Sequence, residues 1–211
     1  KEVGEHYYMF DGVSPINEEN LALLQQLEGE LERRGITTPI LWGNRNWDPF
    51  LTDVIRNHHQ RTGATKYLAI TTSAYSSYSS CRQYREDFGA TVETLKGEGI
   101  DVTINKVRQY YNHPGFVNAQ VQIMRHALVD FEAKVGELDP QKHRILYVTH
   151  SIPTSMQEAS EVATAGYADQ HLQLMNAIDQ QLDDSLPHEL VFCSRSGPVS
   201  YTHLRAHETL R

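Results

Sequence analysis

A histidine closes the run "LYVTH" at residues 146–150, with Ser151, Ile152 and Pro153 directly behind it. An apolar, β-branched run of this kind makes a buried strand of a parallel sheet. The crevice where ligands bind in such a sheet lies outside the carboxyl ends of its strands. Two readings of His150 stay open on the residues alone. In one it is structural: its ring hydrogen-bonds a neighbouring carbonyl while Ser151 or Thr154 caps the next helix. In the other it is a neutral imidazole at the crevice, with a pKa near neutrality. It can then take a proton or hold a metal ion, on a loop stiffened by Pro153.

Other polar clusters fall at similar strand ends: "GNRNW" (43–47), "TTSAYSSYSSC" (71–81), "RQYYNHP" (108–114) and "SRSGP" (194–198). No Gly-x-Ser-x-Gly elbow surrounds Ser14, Ser73 or Ser151, so serine-based acyl transfer is not indicated. Neither a Walker loop nor a Gly-x-Gly-x-x-Gly turn is present. His58 and His59 are adjacent on a helical stretch and point to different faces, which favours structural roles over a shared metal. "YSSYSSC" reads either as a flexible serine-rich loop or as a hydroxyl-lined ligand site.

The elements that must position these clusters alternate along the chain. In the stretch from His113 to Val135, Val117, Val121, Met124, Leu128, Phe131 and Val135 recur at spacings of four and three, an amphipathic helix with Pro114 in its first turn. Leu21, Leu24, Leu27 and Leu31 share a face of an earlier helix, for which Asn17 is the expected cap and Gly35 the stop. A third helix carries Leu51, Val54, Ile55 and His58 on one face, with Asp48 expected as cap and Pro49 at its first position. Between the helices lie five β-rich runs: "TPILWGN", "KYLAITTSA", "DVTINKVRQ", "HRILYVTHS" and "HELVFCSRS". The alternation spells βαβ units, an α/β fold with parallel strands and helices on both faces. The Asp139-Pro140 turn is the expected seam between two α/β lobes.

Composition narrows the function classes. The 211 residues are 39% apolar, ordinary for a globular chain. The net charge of −8, from 27 acids and 19 bases spread along the chain, offers no basic stripe for phosphates, so no nucleic-acid partner is expected. Cys81 and Cys193 form no Cys-x-x-Cys pair, which fits a reducing cytoplasm and indicates neither a disulfide framework nor a structural zinc site. No apolar stretch approaches the ~20 residues of a membrane helix.

Six stretches taken in order, "GVSPIN" (12–17), "GNRNW", "TTSAYSSYSSCRQY" (71–84), "YNHPGFV" (111–117), "THSIP" (149–153) and "SRSGP", resemble the ferrochelatase family, in particular its actinobacterial coproporphyrin III type. The similarity runs from about residue 3 to residue 198. It implies two Rossmann-like lobes with parallel sheets and a cleft for the macrocycle: residues 1–140 as the N-terminal lobe with its first strand missing, and 141–198 as the start of a truncated second lobe. It implies insertion of ferrous iron, as substrate, into coproporphyrin III in haem biosynthesis, by a cytoplasmic monomer. His150 matches the histidine of the family's His-Ser-Ile/Leu-Pro motif, assigned to metal delivery or pyrrole deprotonation. Ser14 and Tyr84 match positions that hydrogen-bond substrate propionates. Tyr167 and Gln170 resemble a Tyr-x-x-Gln with a supporting role. Protoporphyrin IX as substrate, a sirohydrochlorin cobaltochelatase and a non-catalytic tetrapyrrole-binding module are the rival readings.

The sequence also departs from that pattern. Asp11 stands where the family commonly has glycine, adding a carboxylate near the propionate end. The family's first strand, with its Gly-rich loop and tyrosine, is missing, as is the Pro-Trp-Leu segment that follows "SRSGP". The glutamate that faces the histidine and any iron-sulfur ligands would lie in that C-terminal part, so this stretch alone is expected to insert metal poorly or not at all. "VSYTHLRAHETLR" (199–211) reads as a non-native, translated-adapter tail, and its His203 and His207, although four apart, as part of that tail rather than a zinc site.

Overall fold

The computed structural model describes residues 8, 12, 15–161, 165–182 and 186–194. The chain packs as two compact units, Lys1–Thr65 with Glu93–Val102, and Lys66–Val92 with Thr103–Arg211. Ser14 and the segment 199–211 lie outside the described residues.

The first unit holds α1 (Ile16–Arg33) and α2 (Leu51–Thr62). Asn17 does not cap α1. The helix begins one residue earlier, after Pro15, whose ring already fixes a helical φ of −70° and whose carbonyl accepts from Glu19 N at 3.0 Å. Glu18 and Glu19 place negative charge in that first turn, where the helix dipole favours it. Gly35 follows the end of α1 at φ +69°, as the stop signal required.

Asp48 and Pro49 do not open α2 either; its cap is Phe50, in an extended conformation. The backbone there is already committed. Asn44 N donates to Pro49 O at 2.7 Å and Leu51 N to Asn44 O at 3.1 Å, closing an isolated parallel bridge between Asn44 and Phe50. The same closure explains why "TPILWGN" forms no strand: Pro39 lacks an N–H, and Asn44 spends its backbone locally. Gly43 is required at this point, since a Cβ on it would sit 2.9 Å from Leu51 Cα. Ile55, Leu95 and Val102 are the unit's buried apolar residues, and Arg56 of α2 bonds Glu98 at 2.6 and 2.7 Å. His59 has a structural role, its Nδ1 lying 2.9 Å from the Ala64 carbonyl.

The second unit is built on two parallel strand pairs. β1 (Lys66–Ala69) pairs with β2 (Thr103–Lys106), and β3 (Ile145–His150) with β4 (His188–Cys193), in the register Ile145↔His188 through His150↔Cys193. Helix α3 (Gln83–Gly97) lies in the crossover from β1 to β2. The crossover from β3 to β4 carries α5 (Thr154–Glu161) and α6 (Tyr167–Asp179). Parallel neighbours need connections of this length, and the strand-helix-strand alternation is what the sequence period predicts. Four of the five expected runs therefore form strands.

Between β2 and β3 runs α4 (Pro114–Val135), capped by His113, whose Nδ1 accepts from Gly115 N at 3.1 Å. Val117 and Val121 of α4 form a core with Leu174, Ile178 and Leu182, and Tyr147 of β3 packs on it together with Met124 and Leu128. A second cluster joins Ile152, Tyr167 and Phe192. Both clusters cover one face of β3. Successive strand residues alternate faces, so Ile145, Tyr147 and Thr149 turn toward this packing while Leu146, Val148 and His150 turn away and are exposed.

Candidate functional site

His150 is the last residue of β3, on the exposed face. Its Nδ1 lies 2.7 Å from the Ser151 carbonyl. A carbonyl can only accept, so Nδ1 carries a proton here, and in the neutral form of the ring the lone pair is on Nε2. Among the described residues Nε2 has no hydrogen-bond partner. The carbonyl contact expected of a structural histidine is thus present, while the other ring nitrogen lies on the exposed face.

The turn behind it is fixed. Ser151 is buried; its N–H extends the ladder to Cys193 O at 2.8 Å and its hydroxyl donates to Ser194 O at 3.1 Å. Ser194 sits at φ +61°, a left-handed conformation that costs a non-glycine residue about 1 to 2 kcal/mol. The hydroxyl of Ser151 holds it there.

Behind the exposed imidazole lies a buried polar and aromatic cluster. Tyr167 Oη is 3.1 Å from the His150 carbonyl and 3.0 Å from Thr149 Oγ1, which is in turn 3.1 Å from His171 Nε2. His171 stacks on Tyr75 with ring centroids 3.7 Å apart. Burial lowers its pKa to about 4, so it is neutral at physiological pH. Burial likewise pushes Tyr75 up to about 12 and raises Tyr167, which keeps both phenols protonated as donors. Gln170 is fully buried; its Oε1 accepts from Ser76 N at 2.9 Å and its Nε2 donates to the Ala165 carbonyl. The Tyr-x-x-Gln of α6 therefore acts as a brace between the loop after β1 and the end of β3. Thr149, His171 and Tyr75 were not singled out in the sequence, although the four-residue spacing of Tyr167 and His171 puts them on one helical face.

The serine run is held by its own hydrogen bonds. Ser76 and Ser77 are buried, and Ser77 and Ser80 form a reciprocal capping box on a π-helical turn, Tyr78–Arg82. Ser80 Oγ also donates to Tyr75 O at 2.9 Å. That turn packs against α5, the helix that follows the His150 loop, and leads directly into α3. Tyr84 lies in the first turn of α3, half-buried, with its ring 6.4 Å from that of Phe88. Lys106 ends β2 near Cys81 and Arg85; its pKa is lowered by burial and, less, by Arg85. No hydrogen bond or ring contact joins Tyr84 to His150 among the described residues. A shallow cleft lined by Leu31, Ile36, Pro39 and Ile40 belongs to the first unit and holds none of these side chains.

The ferrochelatase family model matches residues 1–211, the full length of the sequence. The chain belongs to the ferrochelatase family. Its relatives include the coproporphyrin III ferrochelatase of Leifsonia xyli, 44% identical over 95% of this chain and 54% of that protein. The coproporphyrin III ferrochelatase of Streptomyces coelicolor is 42% identical over 93% of this chain and 54% of its own length. The ferrochelatase of Rhodopirellula baltica is 39% identical over 94% and 53% respectively. The chain thus spans about half the length of the curated relatives it matches. The α/β architecture with parallel strands is that expected of the ferrochelatase fold.

Among the described residues no group of three or more His, Cys, Asp or Glu side chains is placed to hold a metal ion. An iron-sulfur cluster takes about four cysteine thiolates. This sequence has two, Cys81, which accepts from Gln109 Nε2, and Cys193 at the end of β4, so its cysteines do not fit such a cluster. No described helix is long and apolar enough to cross a membrane.

Proposed function

We propose that the protein carrying this chain inserts ferrous iron into coproporphyrin III, with His150 as the metal-contacting base and Ser14 and Tyr84 as hydroxyls that orient the propionates. The observation that carries this reading is the exposed Nε2 of His150, a bare lone pair on a ring whose other nitrogen is tied down. Insertion replaces two pyrrole N–H protons by one ferrous ion, so two protons leave for each ion that enters. A neutral imidazole accepts a proton as the ring nitrogens release theirs, and the same lone pair suits a divalent ion of borderline softness. One nitrogen ligand holds such an ion loosely enough to give it up. Tyr84 can orient a carboxylate without burying an extra charge. The relatives named for coproporphyrin III favour a four-carboxylate substrate over protoporphyrin IX.

In this reading residues 1–140 and 141–198 belong to two chelatase lobes of a cytoplasmic monomer that works without nucleic acid, and residues 199–211 are a non-native tail. Iron enters as substrate. Any iron-sulfur cluster would draw its ligands from outside this sequence.

The test is ferrous insertion, followed by absorbance, with coproporphyrin III and protoporphyrin IX as alternative acceptors, for the chain and its His150→Ala variant. The expected result is higher turnover of coproporphyrin III wherever insertion is measurable, with His150→Ala retaining porphyrin binding and losing insertion. Insertion unaffected by His150→Ala would overturn the assignment. Porphyrin binding with no insertion by either protein would favour a tetrapyrrole-binding module.

A further inference from the structure

The hydrogen bonds behind His150 run in one direction only. A carbonyl oxygen cannot donate, so the single phenolic proton of Tyr167 goes to His150 O. The Tyr167 oxygen is then left to accept, and Thr149 spends its only hydroxyl proton there. The Thr149 oxygen must accept from His171, which fixes that ring's proton on Nε2. The order is His171 to Thr149 to Tyr167 to the His150 carbonyl. Its end point is one face of the peptide unit joining His150 to Ser151. The other face of the same unit is held by Ser151 N donating to Cys193 O at 2.8 Å. That peptide positions the Ser151 carbonyl, which in turn holds Nδ1–H of the reactive imidazole at 2.7 Å.

We propose that Tyr167, Thr149 and His171 are positioning residues: their directional chain clamps the His150–Ser151 peptide and so sets both the tautomer and the aim of His150 Nε2. This rests on the reading of His150 as the reactive imidazole. The chain touches neither metal nor porphyrin. It acts through the backbone, from the covered face of β3 to the exposed one. Release of the Tyr167 bond lets the peptide rock about its Cys193 anchor, lengthens the Nδ1–H contact and allows the other tautomer. That tautomer puts a proton on Nε2 and removes the lone pair that metal insertion needs. His171 at the far end of the chain packs against Tyr75, with ring centroids 3.7 Å apart.

The experiment is nitrogen-15 NMR of the histidine rings in the full chain, with His150 assigned from a His150→Gln variant. Wild type is expected to show His150 protonated on Nδ1. Tyr167→Phe is expected to lower the ratio of the Nδ1–H to the Nε2–H form by about three- to ten-fold, the range of one hydrogen bond's net contribution. Thr149→Val is expected to shift the ratio the same way, and Thr149→Ser, which keeps the hydroxyl, to restore it. If Tyr167→Phe does not fold, the Thr149 pair carries the test by itself. An unchanged tautomer ratio in Tyr167→Phe, or Thr149→Ser indistinguishable from Thr149→Val, would overturn the proposal. The measurement needs no substrate. Insertion unaffected by His150→Ala with the tautomers behaving as stated refutes the chelatase reading alone, and the reverse result refutes the positioning chain alone.

Discussion

Acid should unfasten the cluster behind His150 before it affects the rest of the fold, and the structure fixes how much stability is involved. His171 has an ordinary pKa of 6.5 and a folded value of about 4, lowered by burial. An unfolded chain takes up this proton as pH falls through 6.5, whereas the folded chain resists until about 4. The stability His171 contributes is therefore complete above pH 6.5, lost progressively between 6.5 and 4, and unchanged by further acid. At pH 5 the loss is about 1.5 pH units' worth, or ~2 kcal/mol. One effect opposes it. An imidazolium stacked on Tyr75 at 3.7 Å gains a cation–π attraction of about 0.5 to 1 kcal/mol. At pH 5 the folded ring is still mostly neutral, so this attraction barely enters and the net loss stays at ~2 kcal/mol. Urea unfolding of the chain at pH 8, 7, 6 and 5 measures it against His171→Gln, whose amide still donates to Thr149 but does not titrate. Titrations elsewhere cancel in the difference. Parallel stability-against-pH curves for the two proteins would refute the reasoning, as would a wild type that gains on the variant as pH falls.

Three further outcomes follow from burial. Gln170→Leu removes the partners of the Ser76 amide and the Ala165 carbonyl at a fully buried position and should cost about 2 to 4 kcal/mol, read as a fall in the urea midpoint without a change in slope. Leu174→Ala, in the core between α4 and α6, should cost about 2 to 5 kcal/mol. Val148→Ala, on the open face of β3 at 63% exposure, should stay within ~0.5 kcal/mol in the same assay.

What was legible in the sequence is what repeats locally. The four-and-three period of α4 survives as a buried stripe at Val117 and Val121 that fades to exposed Phe131 and Val135, where no described element covers the helix end. His150 could be placed at a strand end because the apolar run stops there. The cap assignments at Asn17 and Asp48 did not hold, for a local reason that residue preference cannot encode. Pro15 already supplies helical geometry, and Asn44 captures the backbone ahead of Leu51. The serine run resisted reading because its hydroxyls bond one another in a π-helical turn. Long-range pairing was the least visible. Ser76 and Gln170 stand 94 positions apart, and nothing in either neighbourhood marks the other.

The same contrast bears on how His150, if it is the metal-transferring histidine proposed above, would be both rigid and reactive. A site of three or four side chains would hold a divalent ion firmly, and an ion so held is a poor donor to a porphyrin. The described residues offer no such group. The structure instead divides labour across β3. On the covered face Thr149, Tyr167, His171 and Gln170 satisfy one another and the backbone; on the exposed face a single nitrogen remains unsatisfied. In the proposed reading the covered face would supply precision and the lone exposed nitrogen weak binding, and a transferring ligand needs both. Strengthening the exposed side, for instance with a carboxylate at Val148 two residues before His150, should raise affinity for free zinc while slowing its delivery to the ring. If that variant instead accelerated insertion, capture of the ion rather than its release would be the step that the lone imidazole limits.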